Sequence, residues 1–171
     1  MKRSIVTLVA GLLLAGLLVP GVVVAEPDNG KFIDVPIGHF RGHDYKWVPE
    51  PMTWPEARDY CKDDGGYLVT ITSKSENKYV WAWRPGWRGA SWLGASDKAE
   101  EGTWVWVTGE PFEFAPWAPD NPDGEDSPLG EDYLAYHGLL AEKPRLPGVW
   151  IDWEFEDDGS ESMEPFTCEY E

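Results

Sequence analysis

Basic residues are scarce in this chain: Lys and Arg number 14 against 31 Asp and Glu over 171 residues, a net charge of −17 at pH 7. A surface of that sign repels phosphate backbones and anionic membranes and favours cations or neutral ligands, so nucleic acid is excluded as a partner. Histidine is rarer still, with three residues. No Ser-His-acid order, phosphate-cradling glycine loop or zinc-type spacing occurs, so the chain is read as no enzyme. Paired acids such as Glu131 and Asp132 are what a glycoside-cleaving reading would have to use. His39 and His43 lie four apart, but Gly38 and Gly42 oppose the helix that would make them a metal pair. His137 is read as a strand-end surface residue.

Cysteine is limited to Cys61 and Cys168. Two cysteines in an exported chain are read as a single disulfide, the alternative being two buried thiols. Closing a loop of about 100 residues is worth up to roughly 4.7 kcal/mol in the chain-entropy picture. The reading of export comes from the amino terminus. Lys2 and Arg3 precede an apolar run over 5–19, Pro20 and Gly21 break it, and Val23-Val24-Ala25 precedes Glu26. This is the pattern of a cleaved secretory signal over 1–25, with a secreted, extracellular or periplasmic destination and no membrane insertion after cleavage. An uncleaved anchor over 5–25 is the alternative. No cysteine lies near Ala25, which argues against a lipid-modified terminus. Internal repeats and linkers are also absent, so the remainder is read as an amino-terminal segment over 26–40 and one domain over 41–171.

Within that domain Tyr45-Lys46-Trp47-Val48 reads as a first strand. Thr53 with Glu56 has the capping-box spacing and Pro55 suits a first turn, which predicts a helix that Gly65-Gly66 ends. Trp54, Ala57 and Cys61 recur on one face of it, so Cys61 is placed inside. A short strand follows over 67–71, and Ser73 with Glu76 starts a second helix that runs to about Trp83 before Pro85-Gly86. Short strands are then predicted at 92–95, 103–108, 133–136, 149–151 and 166–170. Most of the eleven tryptophans are assigned to the core, since aromatics bury large areas in small domains.

The most distinctive stretch is Trp117 to Asp132, where Asp120, Asn121, Asp123, Glu125, Asp126, Glu131 and Asp132 crowd a loop that Pro and Gly keep irregular. At an effective dielectric near 20, two carboxylates about 4 Å apart repel by roughly 4 kcal/mol, so a compact loop of this kind calls for a cation. Hard oxygen ligands point to calcium. A solvated acidic loop is the alternative.

The order of features resembles the C-type lectin-like domain. The resemblance rests on Thr53-Trp54-x-x-Ala57, Cys61, Gly65-Gly66-x-Leu68-Val69-x-Ile71, Ser73-x-x-Glu76-Asn77, Trp92-Leu93-Gly94, Glu101-Gly102-x-x-Val105-Trp106 and Gly109-Glu110-Pro111. It continues through Trp117-Ala118-Pro119, Asn121-Pro122-Asp123, Glu131-Asp132, Trp150-x-Asp152 and Pro165-Phe166-x-Cys168-Glu169. It implies an α+β fold with two helices, a mixed and largely antiparallel sheet and a long calcium-binding loop region. It also implies a Cys61–Cys168 disulfide. Tyr133 and Phe155 stand where a second disulfide is usual in the family, and a packed aromatic pair is expected in its place.

The resemblance further implies a sugar-binding Ca2+ site from Asn121, Asp123, Glu131 and Asp152, with Pro122 cis. Ile151 departs from the family's Trp-Asn-Asp motif and brings no oxygen, where calcium takes about six to eight; water or Asp126 is the candidate replacement. An auxiliary Ca2+ site is implied for Asp97, Glu101, Glu131 and Asp132. Gly124 falls where another acid is common there, with Glu125 or Asp126 to compensate. Amide first and acid last in the Asn121-Pro122-Asp123 triplet leans slightly toward galactose-type glycans. The expected function is a secreted, calcium-dependent carbohydrate-binding module whose partner is a glycan or glycoprotein. A protein-binding or adhesive domain with structural calcium is the other expectation.

Overall fold

A computed structural model describes residues 35–84, 89–123, 130–138, 147–153 and 162–171. The expected signal over 1–25 and the residues Glu125, Asp126 and Phe155 lie outside the described residues. Two helices and eight strands are found among those described, in the order β1 (Val35–Phe40), β2 (His43–Met52), α1 (Trp54–Asp63), β3 (Tyr67–Leu68), α2 (Lys74–Ala82), β4 (Ser91–Ser96), β5 (Val105–Trp106), β6 (Tyr133–Tyr136), β7 (Trp150–Trp153) and β8 (Glu164–Tyr170). The sheet runs β1-β2-β8-β4-β6-β7, with β3 added to β8 and β5 to β4. Every pairing is antiparallel except β4 with β8. This is the α+β, two-helix, mixed-sheet arrangement that the sequence predicts.

Local chemistry explains the helices. The Glu56 carboxylate accepts the Thr53 amide at 3.0 Å and the Thr53 hydroxyl at 2.8 Å, which fixes the start of α1. Its end is closed by Gly65 at φ +89°, a left-handed conformation that glycine adopts without penalty, as the Gly66 amide bonds back to the Cys61 carbonyl. At α2 the Ser73 hydroxyl accepts the Glu76 amide at 3.3 Å. The capping box expected there is only half made. The Glu76 carboxylate turns inward instead, accepting the Thr72 amide at 2.9 Å and the Tyr45 hydroxyl at 2.9 Å.

Three element predictions need correction. The predicted first strand is the second: β1 precedes it and forms a hairpin with β2 through Arg41 and Gly42, both at positive φ. Such a loop matches the sheet's twist, but Arg-Gly lacks the Asn or Asp that usually signals it. The strand predicted over 103–108 is regular only at Val105–Trp106, since Thr103 closes a turn onto Glu100 and Gly109 turns back onto Trp106. The strand predicted over 67–71 likewise pairs regularly only at Tyr67–Leu68.

Pleating divides the core in two. Val69, Leu93, Leu134, Tyr136 and Trp150 face one side with Val80 of α2, while Leu68, Trp92, Tyr133, Ala135 and Ile151 face the other with Trp54, Ala57 and Cys61 of α1. Most of the described tryptophans pack in or against these clusters, as expected, although Trp83 is exposed. Cys61 and Cys168 form a disulfide that pins α1 to β8, both fully buried. Tyr133, where the family's second disulfide would begin, stacks on Trp54 at 4.6 Å between ring centroids. Phe155, the other half of the expected aromatic pair, lies outside the described residues.

Behind the sheet, Asn77 of α2 acts as a polar clasp. Its amide nitrogen donates to the Gly148 carbonyl at 2.7 Å, and its oxygen accepts from the Tyr136 hydroxyl at 2.8 Å and the Trp150 indole at 3.1 Å. Truncation would take this partner from the Gly148 carbonyl and the Trp150 indole, while the Tyr136 hydroxyl keeps only the Asn77 main-chain carbonyl at 3.2 Å. Asn77→Ala is expected to lower stability by roughly 3 kcal/mol in urea unfolding, and a loss below about 1 kcal/mol would contradict the role assigned to it.

Candidate metal centre

Two sets of three carboxylates converge where the long loop region meets the sheet: Asp97 with Glu101 and Asp132, and Asp123 with Glu131 and Asp152. Within each set, one oxygen from every residue lies within 4.8 Å of the others. Adjacent residues serve different sets. Glu131 and Asp132 lead directly into β6, and extended backbone sends successive side chains apart.

The first triad is built on the turn after β4. The Asp97 amide donates to the Asp132 carbonyl at 3.2 Å, joining the two segments. Asp97 Oδ2 accepts the Gly102 amide at 2.9 Å, which folds 97–103 back and returns Glu101 to the cluster. Asp97 is only 2 % exposed, and its Oδ1 has no hydrogen-bond partner among the described residues. Burial pushes the Asp97 carboxyl up to about 6 against the pull of the Gly102 amide, with the charges of Glu101 and Asp132 adding to the rise. Lys98 places its ammonium 3.2 Å from Asp132 Oδ2.

The second triad is built on β7. Backbone bonds from Trp150 to Pro116 and from Ala118 to Trp150 strap the loop along this strand, and Asn121 turns back onto Ala118. The Asn121–Pro122 bond is cis, as the resemblance implies. Asp152, 3 % exposed, accepts the Asp123 amide on Oδ2 at 2.7 Å. Asn121 lies beside the set, its amide nitrogen 3.0 Å from the Asp120 carbonyl and 3.4 Å from Asp123 Oδ1. Burial, then the charges of Asp152 and Asp123, push the Glu131 carboxyl up to about 7.

A divalent ion suits these donors. Each set offers carboxylate oxygens from separate segments, and in the first a buried oxygen has no hydrogen-bond partner among the described residues. Hard oxygens in a half-buried, acidic setting are what calcium takes, and an ion there would offset the burial and, after it, the repulsion that raise both carboxyls. Ile151 contributes nothing to the second set, since its side chain packs with Ala135 and Phe166 in the core.

Of the residues implied as ligands, Asp97, Glu101 and Asp132 lie together, as do Asp123, Glu131 and Asp152, with Asn121 beside the second set. Glu131, implied for both sites, joins only the second triad. His39 and His43 stand apart from both, the former 2.9 Å from Asp44 Oδ1 and the latter 2.6 Å from Glu169 Oε1. Lys98 was missed; its place one residue after Asp97 was the available signal.

A family profile described as the lectin C-type domain matches residues 50–138. Salivary C-type lectin 2 of Aedes albopictus is 30% identical over 132 residues, 73% of this chain and 82% of that protein. Human C-type lectin domain family 17, member A is 37% identical over 84 residues, 49% of this chain but only 22% of that protein. In fold, the chain is similar to the cow C-type carbohydrate-recognition domain of CD23 solved with an oligosaccharide, at TM-score 0.62 and 26% identity over 77% of this chain and 89% of the other. With its fold, its profile match and its mosquito relative in agreement, the chain belongs to the C-type lectin domain family.

Proposed function

We propose that this chain is a secreted module that binds glycans through calcium held by Asn121, Asp123, Glu131 and Asp152. A second calcium at Asp97, Glu101 and Asp132 stiffens the loop base. The observation that carries the reading is the convergence of Asp123, Glu131 and Asp152 from three segments onto one point. Calcium bound there supplies open coordination positions for vicinal sugar hydroxyls. Glu131 and Asp152 also accept hydrogen bonds from those hydroxyls, and Asn121 can donate to them. A neutral sugar meets no repulsion from so acidic a surface. The names of the relatives accord with this: one is a salivary C-type lectin, and another is a carbohydrate-recognition domain solved in the presence of an oligosaccharide. The amide-first, acid-last order of Asn121 and Asp123 favours galactose-type sugars.

One observation favours a second reading, in which calcium is structural and the partner is a protein. Ile151 lies in the core and leaves the sugar-binding set one ligand short. A glycan array probed with and without chelator separates the two. Signal that chelator abolishes and that Glu131→Gln reduces at least tenfold is expected; no glycan signal at millimolar calcium would overturn the sugar reading.

Protons compete with the cation for the same oxygens. Asp97 and Glu131 hold protons in the fold that the unfolded chain releases, because their carboxyls are raised to about 6 and about 7. Stability from these groups is full below the ordinary carboxylate range and is lost as pH rises through those values. Glu169, raised to about 7 chiefly by burial, acts in the same direction. With chelator, the melting temperature is therefore expected to be higher at pH 5.5 than at pH 7.5, and Glu131→Gln should remove part of that difference. Calcium should raise the melting temperature most at pH 7.5. A calcium effect equal at both pH values would contradict the proton competition.

A further inference from the structure

We propose that Lys98 is a tethered counter-cation of the first triad, holding Asp132 when no divalent ion is bound and raising the calcium concentration at which the ion displaces it. This rests on the reading of Asp97, Glu101 and Asp132 as a calcium site.

The lysine is held in place from both ends. Its amide donates to the Ser96 hydroxyl at 3.1 Å, which fixes the stem as the chain leaves β4. Its ammonium lies 3.2 Å from Asp132 Oδ2 and 5.0 Å from the centroid of the Tyr133 ring, the aromatic that stacks on Trp54. A cation over an aromatic face is attracted by the ring's quadrupole, so Tyr133 favours the same position that Asp132 does.

That position serves only part of the triad. Asp97 Oδ1, a buried oxygen on a member of the same triad, has no hydrogen-bond partner among the described residues while Lys98 bonds Asp132. A single ammonium neutralises one carboxylate. A divalent ion gathering several oxygens needs Asp132 among them, and at close range the ammonium and the ion repel each other. Occupancy by one therefore disfavours the other, and Lys98 must swing away for the ion to be fully coordinated. The side chain is bordered by solvent into which it can turn, at 57% exposure against 19% for Asp132.

The magnitude follows from the exposure. An ion pair of this kind changes an equilibrium constant by up to about five-fold. Its effect is thus to set a calcium threshold, while keeping Asp132 from repelling its neighbours at low calcium. Position 98 thereby tunes the response of the loop base without being a ligand itself.

The test is calcium titration of the chain by calorimetry, together with melting curves in chelator and in saturating calcium. The variants are Lys98→Gln, Lys98→Arg and, as a charge control on α2, Lys78→Gln. Asp97→Asn identifies the binding phase that belongs to the first triad. Lys98→Gln should bind calcium in that phase about three- to five-fold more tightly. It should also melt below the unsubstituted chain in chelator but not in saturating calcium, and Lys98→Arg should behave like the unsubstituted chain. Unchanged or weaker affinity in Lys98→Gln, or an equal gain in Lys78→Gln, would overturn the role of Lys98 while leaving the calcium site intact. If the unsubstituted chain shows no calcium phase sensitive to Asp97→Asn, the site reading fails and the inference falls with it.

Discussion

The constraint on which this structure turns is the mutual repulsion of carboxylates that the backbone forces together. Two such groups about 4 Å apart, at the effective dielectric of a protein surface, oppose each other by roughly 4 kcal/mol. Here the arrangement occurs twice, with Asp97 and Asp152 almost wholly buried. Neither set is free to splay, because a backbone amide anchors each: that of Asp97 donates to the Asp132 carbonyl in one, and that of Asp123 to the Asp152 carboxylate in the other. The dipeptide Glu131-Asp132 links them. Its position at the entry to β6 commits one carboxylate to each side.

What opposes this repulsion is packing beneath the loops. Trp150 lies fully buried in the core and receives edge contacts from Trp106, Phe114 and Trp117, while its backbone receives the strap of residues 116–118. Asn77 fixes the same tryptophan from the helix side. On the opposite face the Tyr133 stack and the Cys61–Cys168 bridge hold α1 against the sheet. The rigid side of the molecule thus holds an electrostatically unfavourable constellation in place. Preorganised anionic oxygens of this kind bind a cation with little further ordering.

Much of this was legible in the sequence because it depends on short-range chemistry. The cap at Thr53, the start of α2 at Ser73, the Gly65-Gly66 stop and the buried face of α1 are local patterns, and the structure places them as read. The resemblance supplied what local patterns do not: which distant acids meet. Asp97, Glu101 and Asp132 lie together, as do Asp123, Glu131 and Asp152, whereas Glu131 was implied for both sets and Asn121 for the second. The misses have physical reasons. Strand β1 lies in a stretch rich in Gly and Pro, and its turn uses Arg41 in place of a residue with strong turn preference. Glu76 satisfies a capping pattern in sequence, yet the Tyr45 hydroxyl and Thr72 amide draw its carboxylate inward. Lys98 escaped notice because a lone exposed lysine is ordinary until the chain brings Asp132 and Tyr133 beside it.

The central claim is that these carboxylates are gathered to hold a divalent ion. Equilibrium dialysis against radioactive calcium at pH 7.5 tests it most directly, comparing the chain with Asp97→Asn. Saturable binding in the range of about 10⁻⁴ to 10⁻³ M, with one site lost in the variant, is the predicted result. Weak uptake that never saturates and is the same in both proteins would show a merely acidic surface and contradict the account.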